Sequence, residues 1–298
     1  MGKEIVFETK NLSKSYGKIQ AIKDLSLQVL EGQVFGILGP NGSGKTTTLA
    51  IATGILAQDT GTFFWFNKLP NHNSRKKIGS LIEVPHFFPY LNLLQNLSII
   101  AEIKGFGKND IERVLKTVKL WDRRKSKFRT LSLGMKQRLG IASSLLGDPN
   151  ILVLDEPTNG LDPEGIAEVR DLITAEAEKG KTVIMASHIL SEVEKVCTHV
   201  AILKNGNLIE QGNVRTLLGG ETLIEIRAQD MGSLKKIIST CDFIGWHKEN
   251  TDHLLVSLKG EKTASDLNQF IFSKGVALSG LISHKKTLES QFLELVKE

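Results

Sequence analysis

Cysteines, tyrosines and long apolar runs are all scarce in this chain. Only two cysteines occur among 298 residues, Cys197 and Cys241, at no motif spacing. Thiols so placed form neither a disulfide framework nor a thiolate metal cluster. They read as reduced thiols without a catalytic role. No apolar run approaches the roughly 20 residues of a membrane-spanning helix. The start, Met1-Gly2-Lys3-Glu4, has no apolar stretch behind it and does not read as a signal peptide. Excess charge is small too. A net charge of +5 is compatible with a membrane surface or nucleic acid and demands neither. The remaining composition is that of a globular chain with room for one large domain and a small one.

What is present is concentrated first at Gly39-Pro40-Asn41-Gly42-Ser43-Gly44-Lys45-Thr46, followed by Thr47. The octapeptide satisfies the phosphate-loop pattern at every fixed position. Val34–Leu38 before it reads as a buried strand and Thr46–Ala52 after it as a helix start. A strand, a glycine loop and a helix N-terminus place several backbone N–H groups around one anion. Lys45 would reach the outer phosphates, and the Thr46 hydroxyl is placed to ligate Mg²⁺.

A second concentration is Ile151-Leu152-Val153-Leu154-Asp155-Glu156-Pro157. Four apolar residues suit a strand buried on both faces of a parallel sheet. Two carboxylates at its carboxyl end sit where open α/β sheets bind ligands. Asp155 is placed to hold Mg²⁺ and Glu156 to polarise a water for attack on the γ-phosphate.

Elsewhere the pattern is organisational. Residues 4–30 alternate like antiparallel strands, with Ser13–Gly17 as the turn between them. Tyr16 is a candidate for stacking on a base, or a half-buried residue at a strand end. Lys76–Glu83 reads as a strand ending in a carboxylate. Phe87, Phe88 and Tyr90 occupy a loop. Residues 91–145 repeat apolar positions at helical spacing. Arg123, Arg124, Lys125, Lys127 and Arg129 form a basic run, read as a solvated helix end. Residues 201–210 form a hairpin on Asn205-Gly206, and Gly212–Leu218 reads as a short helix.

The chain also carries Leu131-Ser132-Leu133-Gly134-Met135-Lys136-Gln137-Arg138, then Gly160-Leu161-Asp162-Pro163, then Ala186-Ser187-His188. With the two nucleotide motifs and Tyr16, these resemble, in order and spacing, the motifs of the ATP-binding cassette (ABC) ATPases. The resemblance covers about residues 4–218. It implies an α/β P-loop NTPase of ABC type: a RecA-like core with antiparallel β and helical subdomains, the helical one near 86–145. It implies ATP and Mg²⁺ as ligands and two cassettes sandwiching two ATP molecules head to tail. Ser132 and Gly134 would then bind the γ-phosphate held by the partner. His188 would bridge that phosphate and the attacking water, Asp162 would link the two sites, and Tyr16 would stack on the base.

Two positions depart from the family pattern. Leu133 replaces the first glycine of the usual Leu-Ser-Gly-Gly-Gln. Glu83 replaces the usual glutamine that contacts Mg²⁺ and the water, and a carboxylate still ligates a hard cation. Glutamate here resembles the E-loop of transporters that protect bacteria against bacitracin and lantibiotics. The resemblance therefore implies a subunit peripheral to the cytoplasmic face of the membrane. It would work with a permease on separate chains and a second cassette, most simply a second copy, exporting an antimicrobial peptide or antibiotic. No nucleic-acid partner is expected. The alternative is a soluble ABC ATPase acting on nucleic acid or the ribosome. Such relatives carry paired cassettes, coiled-coil inserts or zinc modules, and none of these is evident here.

Residues 221–298 follow Gly219-Gly220 and read as a separate α+β domain. A βαββαβ order suggests a ferredoxin-like unit with one added helix over Thr287–Lys297. His247, His253 and His284 show no ligand spacing and read as structural.

Overall fold

Runs of apolar residues decide where the strands go. The computed structural model describes residues 3–71, 74, 76–83, 86–105, 107–218, 222–260, 262–284, 287–289 and 292. The chain divides into two units, Met1–Val214 and Arg215–Glu298.

In the first unit, β1 (Ile5–Tyr16) and β2 (Ile19–Leu30) lead into β3 (Val34–Leu38) and α1 (Lys45–Ala52). Then come β4 (Thr60–Trp65), β5 (Ile78–Leu81) and the helices α2 (Leu93–Lys104), α3 (Ile111–Thr117) and α4 (Leu133–Leu145). They are followed by β6 (Ile151–Asp155), α5 (Pro163–Glu178), β7 (Thr182–Ser187), α6 (Leu190–Val196), β8 (His199–Lys204) and β9 (Asn207–Asn213). Six strands form one sheet in the order β5-β6-β7-β3-β8-β9. It is parallel except for β9, which returns antiparallel to β8. Every residue of β3, β6 and β7 is buried, as a sheet covered on both faces requires. The carboxyl ends of β3, β6 and β7 therefore lie side by side.

A second, antiparallel sheet has the order β2-β1-β4. Its inner face supplies Phe7, Phe63 and Trp65, with Phe7 and Trp65 ring centroids 4.5 Å apart. Burying a side chain such as Phe7 is worth about 1.5–3 kcal/mol. Trp65 also donates its indole N–H to the Ala52 carbonyl at 2.8 Å, which ties this sheet to α1.

Three boundaries differ from the sequence reading. The turn expected at Ser13–Gly17 is Gly17-Lys18, because Tyr16 still pairs with Ile19 and Gly17 takes φ 59°. Ser13 stays in the strand, exchanging hydrogen bonds with the Asp24 side chain and amide. The helical pattern of 91–145 breaks into α2, α3 and α4. Gly105 ends α2 in the left-handed conformation, and Lys119, at φ 56°, follows α3. Gly212 continues β9, and the helical turn is only Val214–Leu217.

The second unit consists of β10 (Thr222–Ala228), α7 (Met231–Ser239), β11 (Ile244–Glu249), β12 (Leu254–Leu258), α8 (Ala264–Ser273) and β13 (Leu278–His284). Its sheet is antiparallel, in the order β11-β12-β10-β13. Ile224, Ile226, Leu254 and Val256 pack with Leu234, Ile238, Leu267 and Ile271 of the two helices. Asp230 caps α7, and Thr263 with Asp266 forms a capping box on α8. Most of the helix expected over Thr287–Lys297 lies outside the described residues, as does the His284 side chain. Among the described residues, no helix is long and apolar enough to cross a membrane.

Candidate nucleotide site

The phosphate loop joins β3 to α1 at the carboxyl edge of the sheet, and two of its glycines, Gly39 and Gly44, are demanded by close backbone packing. Gly44 has φ 104°, and a Cβ there would lie 2.5 Å from the Ala21 carbonyl. At Gly39 a Cβ would lie 2.3 Å from the Leu203 carbonyl. No side chain fits at either position without moving backbone. Lys45 is buried at 6% exposure. Its ammonium donates to the Gly39 and Pro40 carbonyls at 2.9 and 3.3 Å and lies 3.6 Å from Glu156 Oε1. The Ser43 hydroxyl is buried without a partner.

The adjacency of β6 and β7 brings two further groups together. Glu156 follows β6 in the left-handed region, at φ 47°. Its amide donates to the Ala186 carbonyl at 3.0 Å. His188 follows β7, and its Nδ1 lies 2.8 Å from Glu156 Oε2. His188 thus sits against the carboxylate assigned to the water. A cavity of about 430 Å³ is walled by Gly42, Gly44, Lys45, Thr46, Glu156 and His188. Asn41 and Thr47 also line it.

Asp155 is 3% exposed, and its Oδ1 has no hydrogen-bond partner. Burial pushes its carboxyl above the usual range. A hydrogen bond from Thr46 and the charge of Lys45 oppose that rise, while Glu156 and Glu83 add to it. Glu83 lies just past β5, also left-handed at φ 60°. It shares a second cavity of about 410 Å³ with Thr46, Asp155 and Glu156. Adjacent strands thus end in two strained carboxylate residues, and such strain is typical of sites whose surroundings hold it in place.

Among the described residues, no cluster of three or more His, Cys, Asp or Glu could hold a metal by itself. A Mg²⁺ site needs only one or two protein oxygens when phosphates and water supply the rest. The orphaned Asp155 oxygen and the Thr46 hydroxyl fit that demand.

Ser132, Gly134 and Asp162 lie together around another cavity, of about 470 Å³. Ser132 caps α4, its hydroxyl accepting the Met135 amide at 3.3 Å. Asp162 caps α5, accepting from the Gly165 amide at 3.0 Å. Leu133 is 54% exposed and borders this cavity and that of Glu83. Tyr16 is 51% exposed at the end of β1. Ile19, Ala21 and Asn159, which the motif reading overlooked, line the phosphate-loop cavity. Asn159 falls between two recognised motifs, and Ile19 follows the turn that the alternation misplaced.

A family model described as ABC transporter matches residues 22–159. The chain is 35% identical over 297 residues to "Bacitracin transport ATP-binding protein BcrA" of Bacillus licheniformis, covering 98% of this chain and 97% of that protein. It is 36% identical over 228 residues to "Lantibiotic transport ATP-binding protein SrtF" of Streptococcus pyogenes, covering 74% of this chain and all of that protein (100%). Among solved structures, a dimeric post-hydrolysis state of the ATP-binding cassette MJ0796 with ADP and Pi is similar at TM-score 0.62 and 28% identity, covering 70% of this chain and 99% of that one. The chain belongs to the ATP-binding cassette family, as an ATP-hydrolysing, ATP-binding subunit of ABC transporter type.

Proposed function

We propose that this chain dimerises on ATP, hydrolyses it at composite sites and thereby drives a separate membrane permease that exports an antimicrobial peptide or antibiotic. The supporting observation is the division of the site. Lys45, Thr46, Glu156 and His188 line one cavity, and Thr46 and Glu156 with Asp155 line the one beside it, whereas Ser132, Gly134 and Asp162 surround another. A second copy facing head to tail would complete each site.

In this reading the loop amides and Lys45 hold the phosphates and oppose their charge. Glu156 accepts the proton of the attacking water, a role worth about 10²–10⁴ in rate. His188 orients Glu156 through Nδ1 and offers its other ring nitrogen to a phosphate oxygen. Thr46 and Asp155, with Glu83 beside them, would hold Mg²⁺, which supplies charge neutralisation on the phosphates when bound. Ser132 and the start of α4 would contact the partner's γ-phosphate, Asp162 would couple the two sites, and Tyr16 would stack on the base.

Residues 1–218 would be the ATPase domain, its helical subdomain spanning about 86–145. Residues 221–298 would be an accessory module, and their strand order supports a ferredoxin-like reading. The protein would sit at the cytoplasmic face of the membrane through its permease. Phe88 and Tyr90, 47% and 63% exposed, are suited to that contact. Phe87 instead packs against Phe128 with ring centroids 5.1 Å apart. The bacitracin and lantibiotic transport names of the relatives support this cargo class.

The test is a gentle-detergent pull-down of the tagged protein from its own cell, with partners read by mass spectrometry. Polytopic membrane proteins are expected. Ribosomal or DNA-repair proteins without a permease would overturn the transporter reading.

A further inference from the structure

Two helices bring their N-termini to the cavity that a partner copy would close. Ser132 caps α4, Asp162 caps α5, and both residues line that cavity. Six residues beyond each cap stands a charged residue, Arg138 on α4 and Glu168 on α5. At 1.5 Å per residue, each lies about 9 Å along its helix. Arg138 Nε is 3.4 Å from Glu168 Oε2.

The pair bridges the helices at matched depth. Both side chains line the cavity of Ser132, Gly134 and Asp162. Both also line a second cavity, of about 350 Å³, together with Val118, Asp171, Leu172 and Ala175. With space on either side, the ion pair rather than apolar packing spans α4 and α5 at this level. Arg138 has a third tie. Its Nη1 donates at 3.1 Å to the carbonyl of Val118, the residue that closes α3. One guanidinium on α4 thus reaches both α3 and α5, which its forked donors allow.

The choice of partner is selective. Asp162, Glu164, Glu168 and Asp171 are the carboxylates of the two cavities, and among them only Glu168 forms an ion pair with Arg138. The two side chains are 13% and 32% exposed, and the buried Nε has no hydrogen-bond partner. A partly buried ion pair without hydrogen-bond alignment is weak evidence for stability, and its best-attested use is to fix register. Register is what the caps leave open. Ser132 and Asp162 are each satisfied by their own helix, which sets neither one's distance from the other.

We propose that the Arg138–Glu168 pair positions α4 and α5 against each other, so that Ser132, Gly134 and Asp162 meet the partner's nucleotide together. The two are positioning residues and need not touch the nucleotide themselves. The inference rests on the head-to-tail reading above and deepens it. Displacing a site by about 1 Å can cost on the order of a hundredfold in rate, so a tie outside the site suffices to govern it.

The experiment is sedimentation of the full-length protein with ATP in a Glu156→Gln background. Glu168→Gln keeps the shape of the pair and removes one charge. It should weaken the ATP-dependent dimer roughly tenfold, while ATP binding to the single chain stays within about twofold and the urea midpoint barely moves. Arg138→Glu should lose more, and Arg138→Glu combined with Glu168→Arg should regain most of that loss. Arg138→Lys, which keeps the charge, should keep most of the dimer. With Glu156 intact, phosphate release by Glu168→Gln should show kcat lowered and KM for ATP near the wild-type value. Equal dimerisation of Glu168→Gln and its parent, or no rescue by exchanging the charges, would overturn the inference. So would parallel losses of ATP binding and urea midpoint, the mark of a merely structural pair. Those failures are seen with a parent that dimerises. A Glu156→Gln parent that stays monomeric with ATP would overturn the head-to-tail reading itself, and this inference with it.

Discussion

The phosphate-loop half and the signature half of this chain are built on different principles. In the first, Ser43, Lys45, Thr48 and Asp155 are all buried, in the phosphate loop, on α1 and at the end of β6. In the second, Ser132, Leu133 and Asp162 are exposed at helix N-termini. The first half is over-determined by packing: backbone carbonyls of β2 and β8 lie against Gly44 and Gly39. The second is fastened mainly by its own caps, Ser132 to Met135 and Asp162 to Gly165. A site finished within one chain is expected to be buried there. A surface that will be buried only by a partner must remain open and still be satisfied when alone.

The largest predicted effect lies in the first half. Glu156→Gln removes the proton acceptor but keeps the shape, so hydrolysis should fall by about 10²–10⁴ while ATP still binds. Phosphate release measures the first and sedimentation with ATP the second, where a stable dimer is expected. A variant within about tenfold of the wild type would remove Glu156 from the base role.

Paired glycine substitutions sharpen the contrast. Gly44→Ala forces a Cβ to 2.5 Å from the Ala21 carbonyl at φ 104°. It should cost on the order of 1–3 kcal/mol or more and weaken ATP binding. At Gly134 the nearest atom to a Cβ is 4.0 Å away. Gly134→Ala within α4 should therefore leave the isolated protein as stable, or raise its stability by about 0.5–1 kcal/mol. Hydrolysis should nevertheless fall, if a partner's nucleotide comes close to that backbone. Unchanged activity together with raised stability would break the head-to-tail reading. Ser132→Ala is a smaller probe of the same half: loss of the cap should cost about 1 kcal/mol in chemical denaturation.

How much of this was legible beforehand depended on whether a feature is local. Gly39–Thr46 and Ile151–Glu156 are contiguous, and their spacing alone implies a strand, a turn and a ligand edge. The break of the helical pattern at Gly105–Gly107 was legible only in part, since glycine inside a periodic stretch is tolerated as often as it terminates. The Glu156–His188 contact depends on β6 and β7 being neighbours, which spacing does not encode. Ile19 reaches the cavity because the hairpin turns at Gly17-Lys18, past most of the Ser13–Gly17 stretch that alternation suggests. The pairing of segments 86–94 and 121–130 is further from reach: the basic run is visible, but the hydrogen bonds from the Phe128 and Arg129 amides to the Leu91 and Pro89 carbonyls are tertiary facts.

The smallest prediction concerns the mount of the weaker half. Lys104, in the last turn of α2, donates to the Ser143 carbonyl of α4 at 2.8 Å. Burial lowers its ammonium from 10.5 to about 8. The fold therefore disfavours the charged form, whereas the unfolded chain keeps its proton up to the higher value. Between those two values the unfolded state binds more protons, so stability rises with pH; below the lower one the full cost of the buried charge remains. Lys104→Met removes that cost and gives up one hydrogen bond of about 1 kcal/mol. After allowance for the water that reaches this half-buried group, the net gain near neutral pH should be about 1 kcal/mol. It should shrink as pH climbs through about 8 and vanish or reverse near 10.5. Urea midpoints of the variant and wild type, taken at neutral and alkaline pH, read this directly. A difference that stays constant with pH would mean that Lys104 remains charged between the two helices, and that its role there is the hydrogen bond alone.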